Sequence, residues 1–190
     1  MDVRTDHFDK ARHDRYFEDY VPGRTYDCGH VTVSEADIVD FGLRYDPQDM
    51  HVNPAVAAEG RFGSLIASGW HTAALAVRQC VEHYLSSVSS LASPGVDVLR
   101  WPKPVRPGDT LAVRVHTLES IPSRSRADRG MVRARLEVTN QHNVLVLTAE
   151  LLSVFKNARR NAVRRPTLSA GLARALVRRG RSPDVTAGNH

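Results

Sequence analysis

The sequence predicts an α+β fold, a single domain in which one antiparallel sheet packs on one long helix. Three observations carry this. From Gly69 to about Leu85 the chain is apolar at helical spacing (Ala73, Ala76, Val77, Cys80, Val81, Leu85). Four strand-like runs rich in Val and Leu then follow with no helix between them. One further strand-like run, RTYDCGHVTV over 24–33, precedes all the helical segments. A strand, helices and then a run of strands is the element order of an α+β domain, and the simplest way to bury both apolar surfaces is to curve the sheet around the long helix.

Taken in order, residues 1–23 are polar with interleaved Phe8, Tyr16, Phe17 and Tyr20, and end at Pro22-Gly23. They read as an N-terminal arm lying over the body. The β-branched and aromatic residues of 24–33 then predict a strand. Ser34, with Asp37 three residues on, resembles a capping box, and Ile38, Phe41 and Tyr45 recur at helical spacing, so a helix is expected over 34–45. Pro47 ends it and pushes Asp46 toward an extended backbone. The loop 46–52 is therefore expected to expose its side chains. Asn53-Pro54 restarts a short helix, with Asn as N-cap and Pro in the first position. Gly60, Gly63 and Ser64 interrupt it. The long helix from Gly69 is apolar on most faces, which predicts burial all round.

The strand-like runs of the second half are VDVLRWPKPV, TLAVRVHTLESI, GMVRARLEVTNQH and NVLVLTAELLSVF. Pro107-Gly108-Asp109 and Gln141-His142-Asn143 are turn signals, and SIPSRSRADRG (120–130) is a charged hairpin loop. Residues 24–157 make up the expected domain. Residues 158–190 are rich in Arg, Ala, Ser and Gly and read as a basic, disordered extension, with a possible short amphipathic helix over Leu168–Arg179.

Composition narrows the function. The chain has 42% hydrophobic and 25% charged residues, as an ordinary globular protein does. The net charge of +5 is misleading, because eight arginines and one acid lie from Arg159 onward. The remainder holds slightly more acid than base, so nucleic acid is not the expected partner of the folded body. Cys28 and Cys80 lie far apart and outside any C-x-x-C pattern, and both are expected to be reduced and buried. No run approaches a membrane span, and the charged N-terminus has no apolar signal core, which points to the cytoplasm. The nine histidines include no metal-binding spacing. There is no G-x-S-x-G, P-loop or G-x-G-x-x-G.

The stretch YDPQDMHVNP places Asp46 five residues before His51, and SGWHT places Gly69 at the head of the apolar helix. A histidine titrates near neutral pH and suits proton transfer in both directions. A carboxylate beside it can hold the same water. A backbone N–H at a helix start is aimed where negative charge develops, and a glycine there lets a ligand approach closely. These are the parts that adding water across an activated double bond requires. Taken alone, the same spacing also fits a helix cap or a solvated loop. Ser68 and Trp70 flank the glycine and are candidate substrate-binding positions, although Trp70 equally fits plain core. Arg106, beside the turn, is a third candidate together with Lys103, for the phosphates of a charged substrate, against the plainer reading of a solvated turn. His71 reads as a polar edge of the buried helix and Asp49 as an exposed loop acid.

YDPQDMHVNPAVAAEGRFGSLIASGWHTAALA and the turn PVRPGDTL (104–111) resemble the MaoC-like dehydratases, the R-specific enoyl-CoA hydratases of the hotdog fold. The resemblance covers roughly residues 15–157. It implies catalytic roles for Asp46 and His51 and a thioester-oxygen site at the Gly69 amide. It also implies an acyl-CoA or acyl-carrier-protein thioester as substrate, a homodimer or higher even oligomer, and no metal or redox cofactor. One departure is plain. Many such hydratases have Asp-x-Asn-Pro-x-His, whereas here Pro47 follows the aspartate and Gln48 stands for the asparagine, as in a DPQ-type branch. Two rivals follow from the same fold. An acyl-thioester hydrolase would want a carboxylate on the long helix, which offers only Glu82. A non-catalytic thioester-binding subunit would be expected to lack the Asp46/His51 pair.

Overall fold

The computed structural model describes residues 5–158; the extension expected over 158–190, with its short helix, lies outside the described residues apart from Ala158. Strand β1 (Thr25–Thr32) is followed by helix α1 (Glu35–Tyr45), the short helices α2 (Asp49–Val52) and α3 (Pro54–Glu59), and the long helix α4 (Gly69–His83). Strands β2 (Ser90–Arg100), β3 (Thr110–Pro122), β4 (Arg129–Thr139) and β5 (Leu145–Lys156) complete the domain. The five strands form one antiparallel sheet in the order β1-β3-β4-β5-β2. Strands β3 and β4 lie inside it and alternate between buried and half-buried residues, with Val113, Val115, Leu136 and Val138 turned to the core. That is the period-two pattern of a sheet with one covered face.

Ser34 caps α1 by accepting from the Asp37 N–H at 3.1 Å, and Asn53 caps α3 by accepting from Val56 N–H at 3.3 Å. Both caps are those read from the sequence. Cys28 and Cys80 are buried and free, one on β1 and one on the face of α4 packed against it. Tyr20, Tyr26 and Tyr84 form an aromatic cluster with Phe8, and Tyr20 also stacks on Phe155 with centroids 4.0 Å apart. Arg15 donates to the His83 and Tyr84 carbonyls at the C-terminal end of α4, where a guanidinium both satisfies orphan carbonyls and opposes the helix dipole.

Three expectations need correction. Helix α4 is not buried all round: Trp70 is 61%, Val77 45% and Val81 44% exposed, and they share one face, while His71, Ala76, Gln79 and Cys80 face the core. The sheet covers one side of the helix, so the apolar residues on the other side are left in the open. Strand β2 begins at Ser90, earlier than read, passes through Pro94-Gly95 with bulges, and stops before Trp101. Edge strands tolerate proline in this way. The segment 46–52 is not an open loop either. Asp49–Val52 closes a helical turn, with Asn53 N–H donating to the Asp49 carbonyl at 2.9 Å, and His51 is only 5% exposed.

Candidate active site

Local geometry assembles the site from four short pieces. Helix α1 ends at Asp46, whose N–H still reaches the Gly42 carbonyl at 2.9 Å. Pro47 stops the helix there, and the chain turns straight into α2. The turn packs against α1 at Gly42, where a Cβ would lie 2.7 Å from Val52 Cγ1 and 3.0 Å from the His51 carbonyl. Only glycine allows this approach, and it brings His51 back beside Asp46. The extended segment 65–68 is then pinned on both sides: Ile66 N–H donates to the Met50 carbonyl at 3.1 Å and Ala67 N–H to the Val105 carbonyl at 2.8 Å. The chain from Trp101 to Asp109 crosses from β2 to β3 and closes the far side. Its Pro107-Gly108-Asp109 turn is tied to Val33, the residue after β1, through the Val33 carbonyl and N–H at 2.8 and 2.9 Å.

His51 Nε2 faces Asp46 Oδ2 at 3.4 Å. The other ring nitrogen, Nδ1, lies 2.8 Å from the Ile66 carbonyl oxygen. A carbonyl only accepts, so Nδ1 carries a hydrogen, and in the neutral ring the lone pair is on Nε2. Asp46 in turn accepts from Gln48 Nε2 on Oδ1 and from Ser68 Oγ on Oδ2, each at 2.7 Å. The Gln48 bond first, then the Ser68 bond, hold its carboxyl below the ordinary carboxylate range; partial burial opposes this and the nearby His51 adds to it. Asp46 is therefore an anion at neutral pH, beside an imidazole whose neutral form turns its acceptor nitrogen toward it. A water bridging the two from the cavity would meet one hydrogen-bond acceptor of each kind.

Both side chains line a cavity of about 340 Å³. The head of α4 lines it too, through Gly69, Trp70 and Thr72, and so does the chain from Trp101 to Val105. Gly69 is the first residue of α4, with Ser68 as N-cap accepting from Trp70 N–H at 3.2 Å. The first four N–H groups of a helix have no acceptor within it, and Gly69, which carries the first of them, lines the cavity. Of the residues singled out in the sequence, Asp46, His51, Ser68, Gly69 and Trp70 thus converge. Arg106 does not line the cavity. Its guanidinium donates to the Phe62 carbonyl at 2.9 Å and contacts the Ser64 hydroxyl, so it braces the loop that carries Phe62 onto the cavity wall. Lys103 does line it. His71 is buried and stacks on Phe41 with centroids 4.7 Å apart, on the other side of α4, and burial lowers its pKa against an opposing pull from Asp37. Glu82 is at the far end of α4, paired with Arg78.

Trp101 was missed from the sequence. It stands in WPKP and was read as the middle of a strand, although the proline after it signals a strand end. Its ring lies against Gly69 and meets Trp70 edge to face, with centroids 5.3 Å apart. Gln48 was noted only as a departure from a pattern. The Ile66 carbonyl carried no sequence signal at all.

Comparison with known proteins agrees with this architecture. Residues 18–141 match the family described as MaoC like domain. The MaoC-like dehydratase from Rhodospirillum rubrum is 35% identical, with a TM-score of 0.70 over 75% of this chain and 98% of that one. The uncharacterized protein YdeM of Bacillus subtilis is 31% identical over 73% of this chain and 97% of its own length. The 3-hydroxybutyryl-CoA dehydratase of Methylorubrum extorquens is 34% identical over 59% of this chain and 69% of that protein. The sheet packed on α4 is the hotdog fold.

Proposed function

The chain belongs to the MaoC-like domain family, and from that premise we propose that it reversibly hydrates 2-enoyl-CoA thioesters, or dehydrates 3-hydroxyacyl thioesters. The observation that carries the reading is the meeting of Asp46, His51 and the Gly69 amide at one cavity. Membership supports the reaction class, as does the likeness to a 3-hydroxybutyryl-CoA dehydratase.

In the hydration direction, Asp46 Oδ2 and His51 Nε2 together hold a water. His51 takes one proton from it as the water oxygen adds to C3 of the enoyl group. The π electrons move to the thioester oxygen, and the developing enolate accepts a hydrogen bond from the Gly69 N–H at the positive end of α4. The Asp46 carboxylate, 3.4 Å away, stabilises the imidazolium formed in this step. His51 then delivers the same proton to C2 and returns to its neutral form. One oxygen and two hydrogens are added and nothing is oxidised or reduced. Ser68 acts through Asp46, which it holds, and Trp70 walls the cavity.

The thioester hydrolase has little support. Its candidate carboxylate, Glu82, is exposed and ion-paired with Arg78. In the same proposal the protein works in the cytoplasm as a homodimer. The exposed Val77 and Val81 on α4 support a partner surface. No helix among the described residues is long and apolar enough to cross a membrane. The test is to assay the purified protein with straight-chain 2-enoyl-CoAs, following loss of the conjugated-thioester absorbance, beside a thiol-release assay with saturated acyl-CoA. Hydration without thiol release is expected. Thiol release from the saturated thioester with no hydration would replace this reading with hydrolysis.

A further inference from the structure

Trp101 takes no part in the reaction as derived above, yet it touches the glycine that does. A Cβ built on Gly69 would lie 2.7 Å from both Cδ2 and Cε2 of the indole and 3.0 Å from its Nε1. Cδ2 and Cε2 are the ring-fusion carbons, in the middle of the indole and without hydrogens. Since they are the nearest atoms, the face of the ring lies on Gly69. The ring is held there. Trp70 meets it edge to face, at 72° between planes, and Pro102 restricts the Trp101 backbone to extended conformations. The same indole lines the cavity that holds Asp46 and His51, and at 40% exposed it is not part of the core.

We propose that Trp101 determines specificity, by limiting the bulk that a 2-enoyl thioester can carry at C2. The inference rests on the hydration reading. If the thioester oxygen accepts from the Gly69 amide, one hydrogen bond of about 2.9 Å and the C=O and C1–C2 bonds separate the amide nitrogen from C2. C2 then lies about 5 Å from that nitrogen, in the part of the cavity that Gly69 and Trp101 both line. The indole lies directly on Gly69, with no room between them for a methyl-sized atom, so the ring itself forms the cavity wall beside that glycine. A hydrogen at C2 needs no such space, whereas a methyl group at C2 does. Straight-chain enoyl thioesters therefore fit beside the indole, and 2-methyl-branched ones have to displace it.

The experiment compares kcat/KM for a 2-methyl-2-enoyl-CoA and for the unbranched 2-enoyl-CoA of equal chain length, in wild type, Trp101→Leu and Trp101→Phe. Wild type is expected to favour the unbranched substrate. Trp101→Leu is expected to raise the branched-to-unbranched ratio by about tenfold to a hundredfold, the range over which a pocket discriminates one methylene, and Trp101→Phe by less. The ratio is taken on a single preparation, so a partly unfolded variant does not distort it. If Trp101→Leu does not fold, Trp101→Phe decides by the same ratio. A ratio unmoved in the folded variants overturns the proposal, as does a wild type that takes both substrates equally. A wild type active on neither overturns the hydration reading, and this inference with it; activity on the unbranched substrate with an unmoved ratio removes this inference alone.

Discussion

Nε2 of His51 faces Oδ2 of Asp46 at 3.4 Å, with its tautomer set from behind by the Ile66 carbonyl. The proton-transfer nitrogen is thus oriented by backbone, whose position depends on the bonds from Ile66 to Met50 and from Ala67 to Val105. His51→Ala should lower hydratase turnover by a factor of about 10² or more, the scale for losing a general acid/base. Because His51 is buried, the change also strands the Ile66 carbonyl, at a cost of about 1–3 kcal/mol. Both kcat and melting temperature should be measured. Activity within a few-fold of wild type in folded protein would remove His51 from the mechanism.

Asp46 depends on its two donors. Asp46→Asn should be as damaging as the histidine change, and the double variant little worse than either single one, since residues acting as a unit are not additive. Fully additive losses would mean that the two side chains do not share a water.

Removing a donor has its own signature. Gln48 and Ser68 favour the ionised form of Asp46, so Gln48→Leu and Ser68→Ala should each raise its pKa. Followed directly by carboxyl NMR, the Asp46 titration then moves to higher pH, and further for Gln48, whose bond is the larger cause. The linkage has the same sign. A carboxyl depressed by folding contributes stability above its unfolded pKa, and that contribution fades as pH falls through the folded value. Each variant should therefore lose less stability than wild type on acidification through that window. An Asp46 titration unmoved in both variants would show that neither bond holds the carboxylate.

What could be read from the sequence follows the range of the interactions involved. Ser34, Asn53, Pro47 and the period-two strands act within a few residues, and the boundaries of α1 and α3 and the inner strands came out close to the structure. The convergence of residues 46, 51 and 69 was legible through a family resemblance, because nothing local places Ser68 on Asp46 across 22 positions. The misreadings were tertiary. His51 was read as exposed because its burial depends on the Ile66 segment and on room left by Gly42. Helix α4 was read as buried all round because periodicity does not say how far the sheet wraps. Trp101 was hidden in an apolar run whose end is marked only by a proline.

Arg106 illustrates the same point at a cation. Its charge suggested a phosphate contact, but its guanidinium is used by Phe62 and Ser64. Arg106→Ala should lower the melting temperature and raise KM through the loosened Phe62 loop, with the salt dependence of KM left as in wild type. Contacts to exposed phosphates are screened by salt. If wild-type KM rises with salt and the variant's does not, the guanidinium binds substrate and the bracing role is secondary.

Gly69 has two separable duties, and Trp101 tells them apart. Its amide is proposed to hold the thioester oxygen, while its missing side chain makes room for the indole. Alanine keeps the amide and removes the room. Gly69→Ala alone should therefore lose both stability and activity, because the added Cβ would lie 2.7 Å from two indole carbons and the ring must shift. Adding Trp101→Ala takes away the obstruction. The double variant should melt above Gly69→Ala relative to what the two single changes sum to, and should regain kcat on straight-chain enoyl-CoA, since the N–H is still in place. A coupling of about 0.5–3 kcal/mol is the usual size for residues in contact. If stability recovers and kcat does not, then position 69 serves the reaction through the space that glycine leaves for the ligand. If neither recovers, the packing of Trp101 on Gly69 is not what excludes a side chain there.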